Sequence, residues 1–318
     1  MPRLLRKTAI LAKVETTYGT DAVPTGAANA ILISNASFSY QYNNVDRDLM
    51  RPYLGNSESL VGTRSVQATF DVEVSGSGAA GTAPAYGALL QGCGMAETIT
   101  ASTRVEYNPI SALFKGVTIY YSVDGVLHKM LGARGTFTLG MGEGERPLFR
   151  FTFTGLDGGV TAAADPTLTL TAWKPPVVVT HQNSPGIKLG STYSAGTLTG
   201  GTSYPSRGLQ LDLGNQVQYQ PLLGNPIVEI TNRSTTGSMQ LDLTDAQTVS
   251  FLSDINANTL TTLSFEHGLT AGNKFIFFAP GVQRISPTYQ DYNGNVHFGA
   301  DLRFTPSAGN DELRIVCL

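Results

Sequence analysis

The sequence predicts a mainly β protein built from antiparallel strands, with short helices at its flanks. Three observations support this prediction: apolar and polar residues alternate along many segments, an Asp-Gly pair joins two of these segments, and helical periodicity is scarce. The clearest alternating segments are residues 66–74, 117–123, 148–154, 209–213 and 239–243. A period of two is typical of strands with one buried and one exposed face.

One hairpin and two helices can be assigned from local signals. Asp124 and Gly125 lie between residues 117–123 and 126–130, which predicts a tight hairpin turn. Residues 84–96 could form a short helix that glycines interrupt, and residues 246–255 form a better candidate. Thr244 is a candidate N-cap for the second helix, in which Val249, Leu252 and Ile255 share one face.

The chain divides into four regions by composition. Residues 1–30 are predicted to form an N-terminal arm, and residues 31–156 a first β domain with a long loop at 43–64. Glycine and proline punctuate residues 157–207, which are predicted to form a connector. A second β domain is predicted over residues 208–318.

The two β domains share four features in the same order. These are a Pro-x-Leu-Gly-Asn segment, an apolar-Asp-apolar triplet, a short helix, and an alternating strand with a central arginine. They fall at 52–56 and 221–225, at 70–72 and 241–243, at 84–96 and 246–255, and at 148–154 around Arg150 and 312–318 around Arg314. The first match alone could arise by chance, but the common order favours a duplicated domain whose second copy is more diverged.

Composition narrows the class of protein. Charged residues make up 14% of the 318 residues, against about 25% in an average soluble domain, which favours a chain that covers much of its surface with copies of itself. The net charge of −3 argues against a general nucleic-acid binder. Two distant cysteines, Cys93 and Cys317, fit neither a zinc site nor a disulfide framework. The basic start lacks the apolar run of a signal peptide, and no stretch reaches the length of a membrane span, so we expect a soluble protein made in a reducing cytoplasm.

No arrangement of residues predicts catalysis, a metal site or a cofactor. The glycine-rich segment 140–144 precedes no helix, and segment 76–81 lacks the lysine of a phosphate-binding loop. The four histidines have no metal-ligand spacing. Asp71 and Glu73 share a strand face at a separation that a glycosidase could use, but nothing completes such a site. The sequence therefore predicts a protein that is not an enzyme.

Two segments are candidates for docking to other subunits. The loop at 43–64 is longer than most structureless loops, and loops of that length are usually functional or disordered; its apolar residues favour docking. The arm before the first strand is basic, and a solvated arm is an equal alternative. The candidate docking residues are Arg3, Arg6, Lys7, Asp46, Arg47, Asp48, Arg51, Tyr53, Leu54 and Glu58.

Several segments together resemble the major tail (tail tube) proteins of long-tailed, non-contractile (siphovirus-type) bacteriophages. The resemblance covers roughly residues 7–156 and is carried by residues 7–15, Thr17 to Thr20 with Pro24, 47–56, 78–90, 124–129 and 149–155. These motifs are individually loose and none is catalytic, but their combination is fairly specific.

The resemblance implies a tail-tube-type antiparallel β-sandwich or barrel with a flanking helix. Such subunits share strands in a ring, rings stack into a tube, and DNA is ejected through the lumen into the host. The resemblance further implies contacts with tail terminator, tail-tip and tape-measure proteins, no membrane, and a place in the virion tail after assembly in the host cytoplasm. A duplicated chain would form a trimer with pseudo-six-fold symmetry; a second half that decorates the surface would give a hexamer.

Strand alternation selects the residues expected to face the lumen. These are Thr69, Asp71, Glu73, Gln240 and Asp242, which would present acids and small polar groups that do not hold DNA. The alternative is that they face outer solvent. Two other functions stay open on the sequence alone: a β-rich adhesin or carbohydrate-binding module, and another tail or baseplate component of related fold.

Overall fold

The computed structural model describes residues 2–318 and confirms the mainly β, antiparallel class. The first half contains β1 Thr8–Val14, β2 Ala30–Ile31, β3 Ser34–Val45, β4 Leu60–Glu73, α1 Gly87–Gly92, β5 Met95–Thr100, β6 Arg104–Pro109, β7 Val117–Val123, β8 Val126–Gly142 and β9 Leu148–Ala162. The second half contains β10 Ile187–Ser194, β11 Thr197–Tyr204, β12 Ser206–Asp212, β13 Asn215–Gln220, β14 Ile227–Arg233, β15 Thr236–Leu241, α2 Asp245–Asn256, β16 Leu260–His267, β17 Phe275–Tyr292, β18 Asn295–Phe304 and β19 Arg314–Cys317.

The local turn and cap signals are confirmed. Val123 pairs with Val126 across the turn, and both Asp124 and Gly125 have positive φ, as a type I′ turn requires. Thr244 caps α2: its side chain accepts from the Gln247 amide, and the Gln247 side chain accepts from the Thr244 amide. This is a reciprocal capping box.

The two helices differ from the prediction in extent and orientation. Helix α1 is only Gly87–Gly92 and is almost wholly buried. In α2 the predicted apolar face was wrong at Val249, whose exposed fraction is 69%. Phe251 is buried there instead, with Leu252 and Ile255 packed against the core. The helix is rotated because the large aromatic ring occupies the inward position.

A single antiparallel sheet runs through both halves of the chain. Its strand order is β3-β4-β9-β8-β12-β15-β18-β17, where only the C-terminal parts of the long strands β8 and β17 take part. We call this the main sheet. The halves meet where β8 pairs with β12, from Thr138 opposite Asp212 to Gly142 opposite Gly208.

An outer layer packs against the main sheet. The N-terminal part of β8 pairs with β7, which pairs with β1; likewise the N-terminal part of β17 pairs with β16, which pairs with β10. Strand β19 joins β17 to β6 and so connects the outer layers of the two halves. The core between the layers is aromatic; its fully buried rings include Phe70, Phe137, Phe149, Phe151, Phe153, Phe265, Phe275 and Phe277.

The two halves have the same strand connectivity. By pairing order, β1, β3, β4, α1, β7, β8 and β9 correspond to β10, β12, β15, α2, β16, β17 and β18. We call residues 8–162 the first repeat and residues 187–304 the second repeat. Strands β10 and β11 therefore lie inside the region predicted as a connector, β1 lies inside the predicted N-terminal arm, and β2 begins at the last residue of that arm.

One feature of the predicted duplication was matched to the wrong strand. The counterpart of β9 is β18, and the strand around Arg314 is β19 in the outer layer. A short alternating pattern with a central arginine specifies a strand but not its pairing partner, so two unrelated strands had the same signature.

Candidate functional site

The main sheet has one apolar face and one polar face. The apolar face covers the core, and side chains that alternate with it point the other way. We call that side the polar face; it carries Ser37, Ser39, Gln67, Thr69, Asp71, Glu73, Thr136, Thr138, Arg150, Thr152, Gln210, Asp212, Ser238, Gln240, Thr288, Asp301 and Arg303. Hydroxyl and amide groups outnumber the charges on this surface.

The acids of the first repeat on this face are matched by arginines. Asp71 is buried; it accepts from Arg150 Nε at 2.9 Å and from Asn35 Nδ2 at 2.8 Å. Glu73 forms an ion pair with Arg146. The negative charges expected from the sequence are therefore largely neutralised in the first repeat. The two arginines are close in space but distant in the sequence, so the alternation along β4 does not reveal them.

The two predicted residues of the second repeat lie at one end of the polar face. Gln240 pairs with Gly299 on β18 and is 3.5 Å from Arg207 Nη1. Asp242 follows β15 and borders a cavity of about 440 Å³. Arg207 stacks on the ring of Tyr292 in the wall of that cavity, at 3.8 Å from the ring centroid.

The main sheet ends in two unpaired edges. Strand β3 pairs on one side only, with β4, and the last part of β17 pairs only with β18 among residues 2–318. Residues 286–291 of β17 are all exposed. A long exposed edge with free backbone donors and acceptors is a template for pairing with another strand.

Two β arms project from the repeats at corresponding places. The first arm, residues 42–64, is the far end of the β3–β4 hairpin, and the second arm, residues 215–233, is the β13–β14 hairpin. Their tips hold the two Pro-x-Leu-Gly-Asn segments. Leu54 and Leu223 at these tips are fully exposed, as is Met50.

The predicted docking residues of the loop lie on the first arm. Arg47 and Arg51 both form ion pairs with Glu58. Tyr53 and Leu54 are exposed, and so are Asp46 and Asp48.

The predicted docking residues at the N-terminus contact the β7–β8 turn of their own chain. Lys7 Nζ is 3.2 Å from Asp124 Oδ1, and Arg3 donates to the main-chain carbonyls of Val123 and Asp124. The hydrogen bond from the Leu4 amide, the hydrogen bond from Lys7 and the nearby positive charges of Lys7 and Arg3 lower the pKa of Asp124. Arg6 is exposed.

The second arm, unlike the first, is docked against the neighbouring repeat. Val228 is buried; its amide donates to Tyr18 Oη at 2.6 Å, and its carbonyl accepts from Arg134 Nη1 at 2.8 Å. Arg134 also donates to the Phe114 carbonyl at 2.9 Å and stacks on Tyr18. Burial lowers the pKa of the Arg134 guanidinium, which nevertheless stays protonated at neutral pH.

A sequence signal for these relationships exists and was missed. Residues 52–74 align with residues 221–243 without a gap, and we call this the ungapped alignment. It matches identical pairs at Pro52/Pro221, Leu54/Leu223, Gly55/Gly224, Asn56/Asn225, Arg64/Arg233 and Ser65/Ser234. The match of residues 70–72 with residues 241–243 requires a gap in the alignment and is wrong. In the ungapped alignment Asp71 lies opposite Gln240, and Glu73 lies opposite Asp242.

A sheet that ends in two open edges, with apolar residues exposed at the tips of its arms, is typical of a structural subunit that assembles with other proteins. The family model described as phage tail tube protein matches residues 6–306. The chain belongs to this family: it is a structural tail tube protein, a component of the virion tail, and it assembles into a tube.

Two further results bear on the comparison with known proteins and membranes. None of the curated proteins compared with the chain matches it. Neither helix among residues 2–318 is long and apolar enough to cross a membrane.

Proposed function

We propose that three copies of this chain close into a ring and that the rings stack into the tube of a non-contractile tail. The observation that carries the proposal is the main sheet, to which each repeat contributes four strands in the same order before the sheet ends in two open edges. Eight strands per chain is an even number, so the next copy can join by an antiparallel pair without changing the alternation of strand direction.

The junction inside the chain supplies the register for the contact between chains. Phe38 pairs with Ala68, and Leu211 pairs with Gly237. Since Ala68 and Gly237 are opposite each other in the ungapped alignment, Phe38 corresponds to Leu211. Leu139 is joined through Phe149 of β9 to Val72 of β4. Tyr289 is joined through Phe298 of β18 to Leu241 of β15. Since Val72 and Leu241 are aligned, Leu139 corresponds to Tyr289. Leu139 faces Leu211 within the chain, and we therefore expect Phe38 to face Tyr289 of the next copy.

This register joins side chains of like chemistry. Phe38 and Tyr289 are aromatic residues on the apolar side, and aromatic cross-strand pairs stabilise sheets. One position further, Ser39 would face Thr288 on the polar side, as Asp212 faces Thr138 within the chain. A slip by one residue would exchange the two faces and place aromatic rings among hydroxyls.

Barrel geometry favours three copies over two or six. Strands about 4.8 Å apart and tilted by about 40° close 24 strands into a barrel about 50 Å across, and side chains on the inner wall leave roughly 40 Å. Sixteen strands leave roughly 20 Å, no more than a bare duplex needs, and 48 strands give a ring about 100 Å across. Three copies therefore give a channel through which hydrated DNA can pass.

The polar face suits the wall of that channel. Its hydroxyl and amide groups, and its acids matched by Arg150 and Arg146, offer DNA neither a continuous positive track nor aromatic platforms for bases, the two means by which proteins hold nucleic acid. We place Thr69, Asp71, Glu73, Gln240 and Asp242 at the lumen, where DNA and a tape-measure protein would slide without being retained.

The arm tips suit contacts between rings. Leu54 and Leu223 belong to the same motif and are fully exposed, so three chains would present six apolar tips to the next ring. Tail terminator and tail-tip proteins would cover the same surfaces at the two ends of the tube, after assembly in the host cytoplasm.

Cysteine cross-linking across the open edges tests both the register and the ring. The full chain with Ser39→Cys and Thr288→Cys is oxidised before and after assembly; the native Cys93 and Cys317 are buried and should not compete. We expect a ladder, in assembled material only, that ends at a closed covalent trimer. A ladder that continues to six chains, or tubes without cross-links, would contradict the trimeric ring.

A further inference from the structure

We propose that the first arm docks on the second repeat of the next chain in the ring, at a socket formed by Asn258, Leu260 and Gln283. The occupant is a second copy of this chain. The inference rests on the proposed ring, because only ring closure brings the arm of one chain to the second repeat of another.

The docked second arm is the template for this contact. Ile230 is buried to an exposed fraction of 8%, and its side chain lies beside Gly94 and Phe114 of the first repeat. Arg134 and Tyr18 hold the main chain of Val228 at the same place. An arm of this fold therefore packs on the repeat that precedes its own in the sheet.

The first arm has the same apolar residue with nothing covering it. Val61 corresponds to Ile230 in the ungapped alignment, yet its exposed fraction is 66%. Val45 and Leu60 beside it are also mostly exposed. Among residues 2–318 no strand pairs with the free side of β3, so we expect another copy to supply the surface that covers this arm.

The socket is the corresponding surface of the second repeat. Arg134 is joined through Thr154 of β9 to Gln67 of β4. Gln283 is joined through Arg303 of β18 to Thr236 of β15. Since Gln67 and Thr236 are opposite each other in the ungapped alignment, Gln283 corresponds to Arg134. Gln283 bonds Asn258 Oδ1 at 3.1 Å. Leu260 at the start of β16 is 55% exposed, and it lies opposite Gln283 in the β16–β17 pair.

The chemistry of arm and socket is complementary. Val61 and Leu260 are each apolar and mostly exposed. Val61 lies on the arm that extends from one edge of the main sheet, and Leu260 lies opposite Gln283 of β17, the strand at the other edge. The Gln283 amide, at the position of Arg134, can donate to the main-chain carbonyl of Ser59, which corresponds to Val228. The contact replaces a buried guanidinium by a neutral amide, so that a joint between separate chains forms with less desolvation of charge.

The arm can bend to reach the socket. The second arm turns away from its sheet at Gly214, where φ is +66°. The first arm is a continuation of β3 and β4; its pairing shifts between Tyr42 and Asn44, and such bulges bend a strand locally. We expect the first arm to turn at this bulge when the ring closes.

Paired cysteines test the contact in the assembled tube. The full chain with Val61→Cys and Leu260→Cys is treated with a short bismaleimide before and after assembly. We expect covalent dimers and trimers from tubes and none from monomers. The matched control pairs Val61→Cys with Val249→Cys, an exposed position on the outer side of α2, and should not cross-link.

A charge substitution gives a second, independent readout. Val61→Asp should leave the unfolding of the monomer unchanged, since Val61 is exposed there, and raise the concentration needed for tube assembly by about tenfold or more, since the docked carboxylate would be buried. Val249→Asp should leave that concentration unchanged.

The two proposals fail in different ways. Normal tubes that cross-link through Ser39 and Thr288, but not through Val61 and Leu260, and that tolerate Val61→Asp would overturn the arm contact and keep the ring. Absence of the Ser39–Thr288 cross-link in tubes would overturn the ring register itself.

Discussion

Arg134 is the most informative single residue for testing how the two repeats are joined. Its guanidinium is buried and donates to two main-chain carbonyls, those of Val228 on the second arm at 2.8 Å and Phe114 at 2.9 Å. It also stacks on the ring of Tyr18, at 4.7 Å from the ring centroid. Replacing Arg134→Met keeps a long apolar side chain but removes every one of these interactions.

The expected loss follows from those contacts. Two hydrogen bonds from a charged donor contribute about 1.5–3 kcal/mol each, and a desolvated cation–π contact contributes about 2 kcal/mol. The variant no longer buries a charge, and the desolvation cost that it avoids offsets part of this sum. We therefore expect a net loss of about 3 kcal/mol in the free energy of unfolding.

Urea unfolding of the monomer measures the total effect, and hydrogen exchange locates it. We expect amides of residues 215–233 to exchange faster in Arg134→Met, while those of β4 and β9 keep their protection. Arg303→Met is the matched control, because Arg303 is an exposed arginine of the main sheet and its loss should cost less than about 0.5 kcal/mol. Equal stability of wild type and Arg134→Met, with unchanged exchange in the second arm, would show that Arg134 does not hold the second arm on the first repeat.

Three further predictions concern the junction, a helix and a histidine. Gly208→Ala should destabilise the monomer by more than about 2 kcal/mol, because φ is +112° and the added Cβ would lie 2.0 Å from the Met141 carbonyl oxygen, whereas Gly140→Ala meets nothing within 4 Å and should be neutral in the same urea titration. Thr244→Ala should cost about 0.5–2 kcal/mol through loss of the capping box, read from thermal unfolding against a neutral Val249→Ala. His267 hydrogen-bonds Ser184 and the Val177 carbonyl, and burial lowers its pKa. As the pH falls, the histidine of the unfolded chain is therefore protonated before that of the folded chain. The free energy of unfolding should fall as the pH drops from about 6.5 towards the folded-state pKa. The fall should be smaller in His267→Gln, and identical pH profiles for the two proteins would exclude His267 as its source.

Local features of this fold could be predicted because they depend on near neighbours in the sequence. The Asp124-Gly125 turn needs two residues that tolerate positive φ, and the cap of α2 needs Thr244 and Gln247 at the right spacing along one turn. The strand faces of β4 and β9 followed from alternation alone. Each of these depends on a few consecutive residues, and each is confirmed.

Features that depend on partners distant in the sequence could not be predicted in this way. The pairing of Asp71 with Arg150 joins residues on different strands, so alternation along β4 gave the face but not the neutralised charge. The partner of the strand around Arg314 is decided by layer packing, not by its own pattern. The docked second arm depends on Tyr18 and Arg134, far away in the chain, and only the ungapped alignment of the repeats indicated its relation to the first arm.

Image averaging of purified, assembled tubes by electron cryomicroscopy shows directly whether three chains form each ring. We expect rings of three chains, in which first and second repeats alternate around the lumen and Thr69 and Gln240 lie on the inner wall. Rings of six chains, in which only one repeat of each chain lines the lumen, would contradict this expectation.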